Sequence, residues 1–233
     1  MQKTPRITLA AAILSLGLAG AAQAQQPATP APPPQPPQFP NMTFFISSTP
    51  GPSGANFGGL DGADAFCQGL AAKAGAGGKV WRAYLSQQAV DGKAAINAKD
   101  RIGKGPWVNG SGVQIAANVA DLHVPEKNNI NVDTGMTETG RKVMSRIFVV
   151  NFHDILTGTQ ADGTAPPADK DMTCGNWTKS GEGAALVGHH DRMGLADTPQ
   201  AKSWNSSHPS RACDNASLRA TGGNGLIYCF ASN

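Results

Sequence analysis

The sequence predicts an α+β domain with a small antiparallel sheet, flanking helices and long loops. Three observations predict it: one helical apolar stripe early in the chain, several short β-prone runs late in it, and glycine- and proline-rich connections between them. The stripe lies in residues 61–74, where Ala63, Phe66, Cys67, Leu70, Ala71 and Ala74 recur at three- and four-residue spacing. That face turns Cys67 toward the core. Asp61 is placed to cap the helix and residues 75–78 to end it.

Residues 43–48 read as a short strand stopped by Pro50-Gly51-Pro52. Residues 80–85 alternate, putting Trp81, Ala83 and Leu85 on one side of a second strand. Residues 94–102 read as a short helix, 107–123 carry few signals, and 124–140 are polar and loop-like. Ile147-Phe148-Val149-Val150 is continuously apolar, so residues 146–151 are expected to form a buried strand. Asp162-Gly163 and Pro166-Pro167 break residues 158–171. Short strands are then expected near Trp177 and at 186–189, 203–206 and 226–230.

Residues 1–24 read as an export signal. Lys3 and Arg6 precede an apolar run shorter than a bilayer span, and Ala22-Gln23-Ala24 offers a small-x-small cleavage site before Gln25. Residues 25–40 are proline-rich and read as an extended spacer, reaching about 50 Å at ~3.1 Å per residue. Residues 41–233 are long enough for one domain with its own core. The whole chain carries +3, of which Lys3 and Arg6 supply two charges and no acid in 1–24 offsets them. The processed chain is thus near +1, which gives no overall argument for nucleic acid or an anionic membrane. The expected compartment is the periplasm or the extracellular space, with no membrane span left after cleavage. Four cysteines there favour two disulfides, in any of three pairings, and the lack of a Cys-x-x-Cys pair weighs against a zinc ribbon or a thioredoxin-like site.

Chemistry-bearing residues gather between Cys174 and Cys229. His189, His190, Asp191 and His208 are residue types that suit zinc. Neighbours on a strand face opposite ways, however, so if residues 186–192 form a regular strand His189 lies with Asp191 while His190 lies with Arg192. The histidines are therefore read as bonded to loop backbone or touching a ligand, and no metal is assigned. Trp204 offers an indole face for a sugar and Asn205 an amide for its hydroxyls. No Gly-x-Ser-x-Gly, His-Glu-x-x-His or phosphate-cradling glycine loop is present, so no enzyme is expected.

Several segments, in order, resemble the bacterial secreted lectin-like domains of the C-type lectin superfamily, on the endostatin-like branch. They are Phe45-Ile46-Ser47-Ser48, Gly58-Gly59-Leu60-Asp61-Gly62-Ala63-Asp64 with Cys67, and Trp81-Arg82-Ala83-Tyr84-Leu85-Ser86. Leu156-Thr157-Gly158-Thr159, Cys174-Gly175-Asn176-Trp177-Thr178, Gly188-His189-His190-Asp191 and Tyr228-Cys229 follow. The resemblance implies a C-type-lectin-like fold, disulfides Cys67–Cys229 and Cys174–Cys213, and ligand contact in the late loops. Calcium-dependent sugar binding in that superfamily uses Glu-Pro-Asn or Gln-Pro-Asp followed by Trp-Asn-Asp. Here Pro125-Glu126-Lys127-Asn128 and Trp204-Asn205-Ser206 stand in those places, an incomplete oxygen set for calcium. The expected function is a non-enzymatic, carbohydrate-binding module, with His189, His190, Asp191, Trp204, Asn205 and His208 as the ligand surface and no cofactor. The alternatives are an adhesion module for an envelope or extracellular protein and a metal-dependent hydrolase.

Overall fold

The computed structural model describes residues 1–2 and 37–232. All but the first two residues of the expected export signal, and most of the proline-rich stretch, lie outside them. The chain divides into two compact units, Met1–Pro34 and Gln35–Asn233, and the second carries everything below. It takes in the end of the proline-rich stretch, because the Phe39 amide donates to the Ala74 carbonyl at 2.7 Å and its ring packs on the core.

Strand β8 (Gly223–Ala231) is buried at all nine residues and organises the sheet. β1 (Phe44–Ile46) and β2 (Trp81–Ala83) pair antiparallel with its C-terminal half. Nearer its start, β8 pairs in parallel with β5 (Asp154–Leu156), and β6 (Leu186–His189) and β7 (His208–Pro209) continue outward antiparallel. β3 (Trp107–Val108) and β4 (Gln114–Ala116) form a separate hairpin. The helices are α1 (Gly59–Lys73), α2 (Val119–Leu122) and α4 (Asn215–Ala220), with α3 (Cys174–Trp177) a single left-handed turn between the last two. The described unit is thus α+β with two disulfides.

Apolar clusters cover both faces of the sheet, which is why β8 reads as a nearly continuous apolar run. Ile227, Cys229 and Ala231 face the cluster beneath α1, with Phe45, Trp81, Leu156 and Trp177. Leu226, Tyr228 and Phe230 face the other, with Phe44, Tyr84, Trp107 and Trp204. Between α1 and β2, the Asp64 carboxylate accepts from Arg82 at 2.6 Å, Arg101 at 2.7 Å and the Ala83 amide at 2.9 Å.

The disulfides join Cys67 to Cys229 and Cys174 to Cys213, across 162 and 39 residues. Loop-closure entropy puts their contributions at about 5 and about 4 kcal/mol as upper figures. Replacing Cys67 and Cys229 with serine is therefore expected to cause the larger fall in unfolding free energy, since that pair rivets α1 to β8. Urea denaturation of the two double variants makes the comparison. An equal or larger loss from the Cys174 and Cys213 pair contradicts it.

Several elements depart from the sequence expectation. Residues 146–150 form exposed turns and no buried strand: Ile147 is 62% exposed, Phe148 44%, Val149 106% and Val150 44%. The strand lies later, at β5, whose Ile155 and Leu156 fill the two core faces. The residue before α1 is Gly58, at φ 78°, with no side-chain cap, while Asp61 sits in the first turn beside the free amides. The helix expected at 94–102 shrinks to one tight turn, Ala98–Asp100. The strand expected at 203–206 is replaced by a bend, and pairing with β6 resumes at His208.

Near Trp177 the expected strand is a left-handed turn. Cys174, Gly175, Asn176 and Trp177 all have positive φ, at 49°, 61°, 55° and 69°. For a non-glycine residue that conformation costs roughly 1–2 kcal/mol. The Cys174 disulfide, the buried Trp177 indole donating to the Ser86 carbonyl at 2.7 Å, and the Asp171 carboxylate accepting from the Gly175 amide at 2.9 Å hold it in place.

Candidate metal centre

The strand register brings four side chains together at one end of the sheet. Asp154 of β5 stands directly opposite His189 of β6, so the two point to the same face. His208 of β7 stands opposite Val187, the next residue along on that face of β6. His153 precedes β5, and its ring stacks on that of His189 with centroids 4.2 Å apart and planes 10° apart. Gly188 makes the approach possible, because a Cβ there would lie 1.8 Å from the Trp204 carbonyl oxygen.

One oxygen is the focus. Asp154 Oδ1 lies 3.2 Å from His153 Nε2, 3.2 Å from His189 Nε2 and 3.5 Å from His208 Nε2. The ligand atoms of His153, Asp154 and His189 all fall within 4.8 Å of one another, and all three residues are buried. His208 is the open side, with 36% of its side chain exposed.

The other nitrogen of each ring is committed. His153 Nδ1 meets Asp191 Oδ1 at 3.1 Å, His189 Nδ1 meets the Ala201 carbonyl at 2.7 Å, and His208 Nδ1 meets the Pro209 carbonyl at 3.0 Å. A carbonyl or carboxylate can only accept, so each Nδ1 carries the proton and donates. Three Nε2 atoms facing one carboxylate oxygen need positive charge between them. The Asp154 contact raises the His208 pKa, so a proton on that ring can supply it, and a metal cation is the other species that can. Both Asp154 oxygens and His189 Nε2 have no hydrogen-bond geometry despite their burial. Burial alone would raise the Asp154 pKa; its contacts with His189 and His208 bring it down to about 2.

The tautomers also decide against a serine nucleophile. Ser207 Oγ lies 3.2 Å from His189 Nδ1, but that nitrogen is the one donating to Ala201 and cannot take a proton.

Asp191 supports the centre from outside it. Burial works to raise its pKa, yet the hydrogen bonds from His153 and the Arg146 amide keep it below the usual carboxylate range. His190, one residue from both His189 and Asp191, is fully buried on the other face. Desolvation lowers its pKa to about 4, so it is neutral.

Of the six residues expected at a ligand surface, the structure brings together His189, His208 and, one contact removed, Asp191. Trp204 is 3% exposed and packed among Tyr84, His123 and Tyr228. Asn205 is 1% exposed and spends its amide on the Tyr84 hydroxyl and the Gln160 and Ala161 carbonyls. Sequence reasoning missed His153 and Asp154. Their only signal is a His-Asp pair leading into Ile155-Leu156.

A second polar chain runs under Trp204. The Asn205 amide donates to the Tyr84 oxygen at 2.9 Å, and Tyr84 donates to His123 Nε2 at 2.7 Å. His123 Nδ1 donates to the Val119 carbonyl at 2.8 Å. Desolvation lowers the His123 pKa, against the opposing pull of that carbonyl. A histidine depressed in the fold takes up its proton more readily when unfolded, so its contribution is complete above about pH 6.5 and is lost as pH falls toward the depressed value. His123→Gln is expected to flatten the pH dependence of unfolding free energy between pH 7.5 and 5. Matched urea titrations of variant and parent would contradict this by showing the same slope.

No protein-family model matches the sequence, and no curated protein matches it significantly.

Proposed function

We propose that this chain is an exported zinc-binding domain whose centre is formed by His153, Asp154, His189 and His208. The observation that supports it is the convergence of three Nε2 atoms on Asp154 Oδ1, with each Nδ1 already donating elsewhere. A tetrahedron with metal bonds of about 2.0–2.1 Å has edges of about 3.3–3.4 Å, close to the three separations from Asp154 Oδ1 of 3.2–3.5 Å. His153, Asp154 and His189 form the compact trio, and His208, the more exposed ring outside it, swings in to complete the shell on binding. Carboxylate and carbonyl acceptors behind the rings are the usual outer support of a zinc histidine. All four cysteines are paired, so imidazole and carboxylate are the ligand set on offer. Four protein ligands favour a closed centre that clamps β5, β6 and β7 over one that keeps an open catalytic position. This reading makes the domain a metal-stabilised binding module and not an enzyme. Elemental analysis of the chain from Gln25 onward, purified without chelator, is expected to give one zinc per chain. No zinc, and none bound on titration, overturns the proposal.

One observation favours carbohydrate binding as a second reading. The two segments that stand in the places of the superfamily's sugar loop and strand border one hollow of about 860 Å³. Pro125, Glu126 and Asn128 line one side, and Trp204 and Ser206 the other. Amides and hydroxyls at Asn131, Gln200 and Ser203 complete a rim suited to sugar hydroxyls. A glycan array, run with and without calcium, tests this hollow. Silence on every glycan removes the reading and leaves the zinc centre untouched.

A further inference from the structure

Residues 146–150 carry the largest anomaly in the fold. Four consecutive apolar side chains stand in solvent, and Leu195, 93% exposed, joins them from the neighbouring loop. Val149 and Leu195 lie on the mouth of the same cleft, about 790 Å³ in volume, with His153, His189 and His208 among its lining residues. Ile147 and Leu195 share an adjoining hollow. Contiguous apolar surface of this kind is rarely left facing water unless it meets a partner.

The charges around it narrow the partner. Arg146 and Arg219 line the cleft mouth with Val149 and Leu195, and no Asp or Glu side chain is among its lining residues. Arg219 is held by Asn224 at 2.8 Å, and the Arg146 guanidinium has no partner among the described residues. On the adjoining hollow the only acid is Asp197, which Lys202 neutralises. The processed chain is nearly neutral overall, so the two arginines are a local excess at this rim. The carboxylates of Asp154 and Asp191 are buried behind it, on the histidines and the Arg146 amide. The loop is also anchored: the Arg146 amide donates to Asp191 Oδ2 at 2.9 Å, and the Phe152 amide to the Met144 carbonyl at 3.0 Å.

We propose that residues 146–150 and Leu195 insert into the interface of an anionic lipid bilayer, with Arg146 and Arg219 on the headgroups. Exposed apolar side chains supply the insertion and flanking arginines the attraction to acidic lipid. A protein partner burying the same patch needs no anionic surface, and a second copy of this chain brings two more arginines against these two. The lipid surface is the occupant that matches both features.

The test is cosedimentation of the chain from Gln25 onward, which retains residues 37–232, with vesicles of phosphatidylglycerol and phosphatidylcholine or of phosphatidylcholine alone. Binding is expected to the anionic vesicles only, weakening as salt rises. Phe148→Ser with Val149→Asp is expected to weaken it at least tenfold, and Arg146→Gln about fivefold. These side chains are exposed, so near-ultraviolet circular dichroism unchanged from the parent confirms folding. No binding to anionic vesicles overturns the proposal, as does equal binding by the Phe148 and Val149 variant. So does self-association that needs the patch while vesicles are ignored.

Discussion

Asp154→Ala is expected to weaken zinc binding by about 10²–10³-fold, the share of one ligand in a four-ligand site. Asp154 Oδ1 is the atom on which the three rings converge, and the residue is 3% exposed, so water is a poor substitute for that oxygen. Asp191→Asn sits one bond further out, against His153 Nδ1, and is expected to cost only about 10–100-fold. His190→Ala, on the opposite face, is expected to leave zinc affinity unchanged even if it lowers stability. Competition against a chromophoric chelator ranks the three. Equal losses at Asp154 and His190 would mean that the effects come from general loosening and not from ligation.

Gly188→Ala is expected to be the most damaging single substitution on the sheet. Its Cβ would fall 1.8 Å from the Trp204 carbonyl oxygen, 2.1 Å from that carbonyl carbon and 2.3 Å from the Asn205 nitrogen. All three are backbone atoms, so no rotamer change relieves the clash. The bend at 203–206 must leave β6, taking with it the Tyr228 hydroxyl bond to Trp204 at 2.8 Å and the placement of His208. A loss of at least about 3 kcal/mol is expected. Urea denaturation measures it, and a loss below about 1 kcal/mol would contradict the close approach described here. Any folded fraction should also bind zinc more weakly.

The legible parts of this fold were those in which burial leaves a period in the sequence. α1 shows a one-sided stripe, and β8 shows an apolar run because both its faces are covered. The same rule misled at 146–150, where four apolar residues serve an exposed surface. Sequence alone cannot tell a run that is buried from one that awaits a partner. The left-handed turn was illegible for a different reason: Gly175 and Asn176 tolerate positive φ, but Cys174 and Trp177 adopt it only because tertiary bonds impose it.

The candidate centre was half legible. Alternation applies to a regular strand over 186–192, but β6 ends at His189 and residues 190–191 turn, so it is the turn that sends His190 away from His189. The ligands come instead from three strands and the residue before one of them, at sequence distances of 35 and 54 residues from Asp154. Only the register of β5 against β6, and of β6 against β7, brings them to one point. Register is a property of pairing between strands, and no local pattern around His153 or Asp154 encodes it.

X-ray absorption at the zinc edge of the zinc-loaded chain addresses the centre itself. Three imidazole nitrogens and one carboxylate oxygen at about 2.0–2.1 Å are the expected shell. A shell of water oxygens with fewer than three imidazoles, or zinc that washes out on desalting, would contradict the centre built on Asp154.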